Sequence, residues 1–212
     1  MAQDLSPDLL LYAYAHGVFP MAASRDDPDL HWIDPDLRGV IPLDGFHISR
    51  SLARQIRRGD VDIRIDTEFD RVVRNCAERP ETWINAPLFA LYQSLHHRGV
   101  AHSLEVWKDG ALVGGVFGIA LGGAFFGESM FSRVPNASKV ALAYLVDRLR
   151  QGGFTLFDTQ FLTPHLASLG GVEIPRADYR AQLSRALECR ADFTAPQTPD
   201  AQSILQRMTQ TS

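Results

Sequence analysis

The strand-like run FTLFDTQ ends on Asp158 and Gln160. Two residues apart in an extended chain, this carboxylate and amide share a face with Leu156, while Phe157 and Thr159 take the other. A carboxylate beside an amide at a strand end can hold an attacking amine and accept its proton. Upstream, FFGESMFSRVPNASK (Phe125 to Lys139) concentrates small, polar and aromatic residues where a core would place aliphatic ones. Within it Glu128 neighbours Phe126, Met130 and Phe131. It either rests on a solvated strand face or loses its hydration and needs a partner. Trp83, in ETWINAP just ahead of a helix, either stacks on a base or staples that helix to the core.

Other patterns exclude chemistry. His96, His97, His102 and Glu105 are close in sequence, but the first two take adjacent helix faces and His102 follows a glycine turn, so no metal site is expected. Ser129 in GESMF is not a nucleophile elbow, because Phe131 stands where the second glycine would be. Gly114-Gly115 and Gly122-Gly123 lie in hairpin contexts, which leaves no loop for ATP or a dinucleotide. Cys76 and Cys189 have neither zinc nor disulfide-framework spacing.

Ser6, Pro7 and Gly17 bracket a helix over Pro7 to His16. Residues 22–45, rich in Pro, Asp and Gly, read as loop and small sheet. A short helix from Ser49 turns Leu52 and Ile56 inward and completes a small N-terminal domain over residues 1–59. Alternation of Val61, Ile63 and Ile65 then predicts a strand, and Thr67 predicts the cap of a helix carrying Phe69, Val72, Val73 and Cys76 on its buried stripe. A helix over 87–98 precedes strands 101–107 and 112–121, joined by an Asp109-Gly110 hairpin. Strand 124–132, helix 137–150, strand 154–160 and helix 177–187 complete a domain over residues 60–190 of α+β (mixed α/β) class. Residues 191–212 are polar and rich in Pro, Thr and Gln, so a flexible tail is expected.

Across 212 residues, 45% hydrophobic and 22% charged content is ordinary for a globular chain. No window approaches the roughly 18 apolar residues of a membrane span, and MAQDLSPD carries acids where a signal peptide needs cations. A cytoplasmic location without a membrane partner is expected. The formal charge of -4 argues against a generally nucleic-acid-coating surface. One stretch escapes that average. Gly45 to Arg58 holds Arg50, Arg54, Arg57 and Arg58 and no acid, which makes it either a solvated helix face or a local cationic surface.

Taken in order, YAHGVFPM, HWIDPDLRGVIPL, FHISRSL, CAERPETWI, LHHRGVAHSLEVW, LVGGVFGIALG, FFGESMFSRVPNASKVAL, FDTQ and HLASLGGVEIPR resemble the bacterial leucyl/phenylalanyl-tRNA-protein transferases, from about Leu9 to Leu183. The resemblance implies transfer of Leu, Phe or, less efficiently, Met from aminoacyl-tRNA to the N-terminal Arg or Lys of a protein, marking it for N-end-rule degradation. It implies a small N-terminal domain plus a GCN5-related acyltransferase-like domain with a mixed, mostly antiparallel sheet. The acetyltransferase pyrophosphate loop is missing between Ser132 and Lys139, so coenzyme A is not the expected donor and no cofactor is expected.

Carried over by position, Asp158 and Gln160 match the family's proposed catalytic pair, and Trp83 matches an aromatic that holds the terminal adenosine or neighbouring groups. Val116 and Phe125 match walls of the donor side-chain pocket, and Glu128 matches a polar residue of the same site, with Ser129 beside it. Strict alternation sends Phe125 and Glu128 to opposite faces unless the strand kinks at Gly127. Met21, Val116 and Thr163 stand where better-known members carry Trp, Met and Asn, which changes the pocket's shape. Arg50, Arg54, Arg57 and Arg58, joined by Lys139, are expected to hold tRNA phosphates. Loss of Asp158 or Gln160 is expected to cost turnover and spare folding. A monomer is expected. Two other readings of the same residues are a coenzyme A-dependent N-acetyltransferase and a non-catalytic binder of basic protein N-termini.

Overall fold

The computed structural model describes residues 5–209; residues 1–4, with Asp4 of the acid-bearing start, and the last tail positions, 210–212, lie outside them. Ser6 Oγ accepts from Leu9 N at 3.2 Å and Pro7 occupies the first turn, which opens α1 (Pro7–Ala15). β1 (Phe19–Met21) pairs antiparallel with β2 (His31–Ile33), and β3 (Leu37–Val40) follows. α2 (Arg50–Arg58) starts at Ser49, whose Oγ accepts from Leu52 N, and stops at Gly59 with φ 63°. β4 (Asp62–Ile65), α3 (Phe69–Ala77) and α4 (Ala86–His97) lead into the meander β5 (Ala101–Lys108), β6 (Ala111–Leu121) and β7 (Ala124–Ser132). Then come α5 (Ala137–Gln151), β8 (Leu156–Gln160), α6 (Pro164–Ala167), β9 (Val172–Pro175), α7 (Arg176–Glu188) and α8 (Ala201–Thr209).

Seven strands form one sheet in the order β4-β5-β6-β7-β8-β3-β9, and β7 with β8 is its one parallel pair among the described residues. The sheet is thus mixed and mostly antiparallel, as the element order predicts. One face buries Phe117, Phe126 and Leu156 under α1, α3, α4 and α7. The other buries Val116, Phe125 and Phe157 under α5, with α2 and α8 packed beyond it.

β3 lies inside the main sheet between β8 and β9, with Val40 and Ile41 buried, so the head of the chain contributes a strand to the body. Two sequence expectations change. Residues 191–209 are ordered: Phe193 stacks on Phe125 at 5.3 Å, and Ile204 and Met208, one helical turn apart on α8, are buried. Average polarity hid those few well-spaced apolar residues. Thr67 does not cap α3. Its hydroxyl donates to Glu105 on β5 and Glu68 N donates to the same carboxylate at 2.7 Å, so the anion at the start of α3 is supplied by the neighbouring strand.

Candidate active site

β7 and β8 pair over only three positions, from Ala124↔Leu156 to Phe126↔Asp158. Beyond these the strands part. Gly127 stands at the divergence, where a Cβ would meet the Phe157 ring at 2.8 Å. Opposite it, the β6–β7 register passes from Gly118↔Gly127 to Phe117↔Ser129, which leaves Glu128 as the extra residue of a bulge. A cavity of about 580 Å³ occupies the gap, within the size range of small-molecule sites. Because the sheet is open here, the cavity takes walls from both faces: Val116, Leu142 and Phe157 from one, Phe19, Met21 and Trp83 from the other.

Asp158 is fully buried and does not line this cavity. Its Oδ1 accepts from Arg38 Nε at 2.9 Å and Gln160 N at 2.8 Å; its Oδ2 accepts from Arg38 Nη2 and Tyr179 OH, both at 2.7 Å. Four donors fill the carboxylate's acceptor sites. The Arg38 guanidinium is itself buried, 4.5 Å from the ring centres of both Phe19 and Tyr179, and its Nη1 donates to Gly17 O at 2.9 Å. Burial and then the Asp158 charge push the Tyr179 hydroxyl well above its ordinary range, so it stays a donor. Asp158 is therefore a neutralised anchor whose partners come from β3 and α7.

What it anchors is Gln160. The bond to Gln160 N accompanies a left-handed backbone there, φ 59°, a conformation that costs a non-glycine residue about 1 kcal/mol or more. This turn ends the period-two alternation, so Phe157, Thr159 and Gln160 all line the cavity while Asp158 faces away. With its amide oriented to satisfy its neighbours, Gln160 donates to Thr159 O at 3.0 Å and Gly127 O at 2.8 Å, bridging the two parted strands. The NH2 is thereby occupied, and the amide oxygen remains as the acceptor.

Glu128 also lines the cavity, with Oε1 accepting from Tyr14 OH at 2.7 Å and Oε2 from Tyr92 OH at 2.9 Å. Burial raises its pKa to about 7; the two tyrosine hydroxyls oppose that rise, Asp158 adds to it and Arg38 opposes it. Ser129 accepts from Arg79 Nη2 at 2.6 Å and lines the cavity with it. Trp83 stands edge-on to Tyr92 at 6.4 Å with its residue partly open to the cavity. Thr163 lines the cavity too, while its Oγ1 caps α6 by accepting from Leu166 N at 3.2 Å.

Most of the sequence-assigned positions therefore converge: Met21, Trp83, Val116, Glu128, Ser129, Gln160 and Thr163 line one cavity. Phe125 does not. It faces the opposite side of the sheet from Glu128, 1% exposed, stacked on Phe193 and edge-on to Phe157. The bulge falls at Glu128, after Phe125, and so does not bring the ring into the gap. His102 Nδ1 bonds Asp66 at 2.7 Å, and Glu105 takes Glu68 N at the start of α3.

Arg50, Arg54, Arg57 and Arg58 are exposed on α2 while Leu52 and Ile56 are buried. Gln55 ties this helix to the start of α5: its Nε2 donates to Pro135 O at 3.2 Å, and Asn136 Nδ2 donates to its Oε1 at 3.0 Å. Ser138, on that first turn of α5 beside Lys139, lines the cavity. The helix that carries these arginines is thus tied to the loop before α5, whose first turn reaches the cavity.

Arg38 and Tyr179, which hold Asp158, and Tyr14 and Tyr92, which hold Glu128, are the partners that pattern reasoning passed over. Arg38 carried a usable signal, a lone cation in the apolar run LRGVIPL. The tyrosines carried none, since each reads as one more residue of an apolar helix stripe.

Residues 40–184 match the family described as leucyl/phenylalanyl-tRNA protein transferase, and residues 3–36 match that family's N-terminal domain. A leucyl/phenylalanyl-tRNA–protein transferase of Ruegeria sp. (strain TM1040) is 65% identical over 98% of this chain and 99% of its own length. One from Cereibacter sphaeroides (strain ATCC 17025 / ATH 2.4.3) is 64% identical over 98% of both. The solved structure of FemX shares the fold, with a TM-score of 0.51 at 13% identity over 73% of this chain and 60% of that one. The chain belongs to the leucyl/phenylalanyl-tRNA protein transferase family.

Proposed function

We propose that the protein transfers Leu or Phe, and less efficiently Met, from aminoacyl-tRNA to the N-terminal Arg or Lys of acceptor proteins in the cytoplasm, acting as a monomer and marking those proteins for N-end-rule degradation. One observation carries the reading: an apolar cavity opens where β7 and β8 part, with the Gln160 amide in its wall, and the arginine-bearing helix α2 is bonded through Gln55 to the loop that leads into α5 beside it.

The aminoacyl ester arrives already activated, so positioning supplies most of what the reaction needs. The donor side chain enters among Met21, Val116, Leu142 and Phe157, with Trp83 against the adenosine end. The Gln160 oxygen accepts a hydrogen bond from the attacking amine, and Asp158 fixes the backbone that aims it. Arg50, Arg54, Arg57, Arg58 and Lys139 hold phosphates of the tRNA, a sequence-independent task for an otherwise acidic protein.

Transfer is tested by incubating the protein with charged tRNA(Phe) or tRNA(Leu) and a peptide bearing N-terminal Arg, with acetyl-CoA as donor in a parallel reaction. The expected product carries Phe or Leu on the peptide's α-amine. Val116→Phe narrows the cavity and should depress Phe transfer more than Leu transfer, since each displaced methylene of contact is worth about 0.8 kcal/mol. Product from acetyl-CoA alone, or binding without product, would replace the reading with one of its two alternatives.

A further inference from the structure

Among the described residues, three titratable side chains line the cavity: Arg79, Glu128 and His165. Arg79 is a permanent cation bonded to Ser129. Asp158 faces away with its acceptor sites filled, and an amide such as Gln160 accepts hydrogen bonds without taking up a proton near neutrality. The choice of proton acceptor narrows to Glu128 and His165.

Glu128 is the better placed. The bulge presents it to the cavity directly after Gly127, whose carbonyl receives the Gln160 amide, so Glu128 and Gln160 flank the same point of the gap. Each carboxyl oxygen takes one tyrosine hydroxyl and keeps an acceptor site open. Tyr14 and Tyr92 are fully buried and pack against Phe126 at 4.9 Å and Phe117 at 5.2 Å, which fixes the clamp. Burial first and the Glu128 charge next hold both hydroxyls well above their ordinary range, so they remain donors.

We propose that Glu128, held between Tyr14 and Tyr92, takes the proton from the acceptor protein's α-ammonium group. The inference rests on the aminoacyl-transfer reading. The ammonium gives one proton to a Glu128 oxygen, and the freed nitrogen pair forms the C–N bond at the ester carbonyl. The C–O bond to the ribose breaks, the ribose oxygen takes the nitrogen's second proton, and Glu128 returns its proton to solvent. The charged and titratable groups facing the carboxyl are Tyr14 from α1, Tyr92 from α4, Asp158 from β8 and Arg38 from β3. Their net effect with burial places it near 7, close to an α-amino group's ordinary value of about 8, which suits transfer between the two.

The test is the pH profile of kcat/KM for an N-terminal Arg peptide at saturating Phe-tRNA, in wild type, Glu128→Gln, Tyr92→Phe and His165→Gln. The peptide's own ionisation is common to all four, so differences between profiles belong to the protein. Tyr92→Phe removes a donor that favours the carboxylate, and its acid limb should move up by about half a pH unit or more. Glu128→Gln should lose roughly 100-fold at the wild-type optimum and keep only the peptide's limb. His165→Gln should leave the limb in place. A Tyr92→Phe limb that does not move, a Glu128→Gln rate near wild type, or a limb lost with His165 would overturn the assignment. A wild type that yields no aminoacylated peptide at any pH fails the transfer reading itself, which separates the two failures.

Discussion

Asp158 and Gln160 sit two residues apart, and their spacing alone suggests a carboxylate and an amide acting together on one substrate. Their environments divide the work. Asp158 is buried with Arg38 and Tyr179, so Asp158→Ala leaves a buried guanidinium unpaired and should cost about 3–5 kcal/mol in urea unfolding, against the expectation that folding survives. An unfolding midpoint within error of wild type would show that Asp158 is not an anchor. Strand periodicity placed the pair at the strand end but could not reveal this split, because the partners lie on β3 and α7 and the left-handed turn at Gln160 breaks the alternation. Glu128 makes a second residue-scale prediction. The folded protein holds its proton up to about pH 7, while an unfolded glutamate releases it near 4.5. The folded state therefore binds more protons between those values, and stability falls as pH rises across that window. Wild type should lose of order 2 kcal/mol relative to Glu128→Gln between acid and neutral pH. A difference between the two proteins that is flat with pH contradicts a carboxyl held protonated by the fold.

Among elements, those set by local signals were legible. Ser6 and Ser49 cap their helices, Gly59 closes α2, and the apolar stripes of α3 and α4 face the sheet. Asp109 and Gly110 adopt positive φ in the expected hairpin turn. Elements set by tertiary contact were not: the three-position pairing of β7 with β8, the bulge at Glu128 and the Glu105 carboxylate at the start of α3 all join residues distant in sequence. The short β9 and α6 escaped because four residues give too little period to read. α2 carries the element-scale prediction. Its arginines face solvent from a helix fixed by Leu52 and Ile56, so Arg54→Ala/Arg57→Ala should preserve folding, weaken tRNA affinity and flatten its decline with salt by about two counterions' worth of slope. The loss should be alike for different tRNAs carrying one amino acid. Unchanged affinity and slope would make this a merely solvated helix face.

Across the whole molecule, the chain's ends close on its middle. β3, from the first fifth of the sequence, enters the sheet between β8 and β9 and delivers Arg38 to Asp158. α8, from the tail, covers α2 and α5 on the far face. Composition divided the chain into head, body and tail, because it registers average polarity and not where sparse apolar residues pair. This closure leaves a break in the sheet between β7 and β8, where the proposed transfer uses the Gln160 amide as a positioned hydrogen-bond acceptor. Gln160→Gly tests it most directly, since glycine keeps the left-handed backbone while removing the amide. In single-turnover transfer of labelled Phe from saturating Phe-tRNA to an N-terminal Arg peptide, the variant should fold and bind tRNA as wild type does and transfer about 100-fold more slowly. Transfer at the wild-type rate would contradict the account.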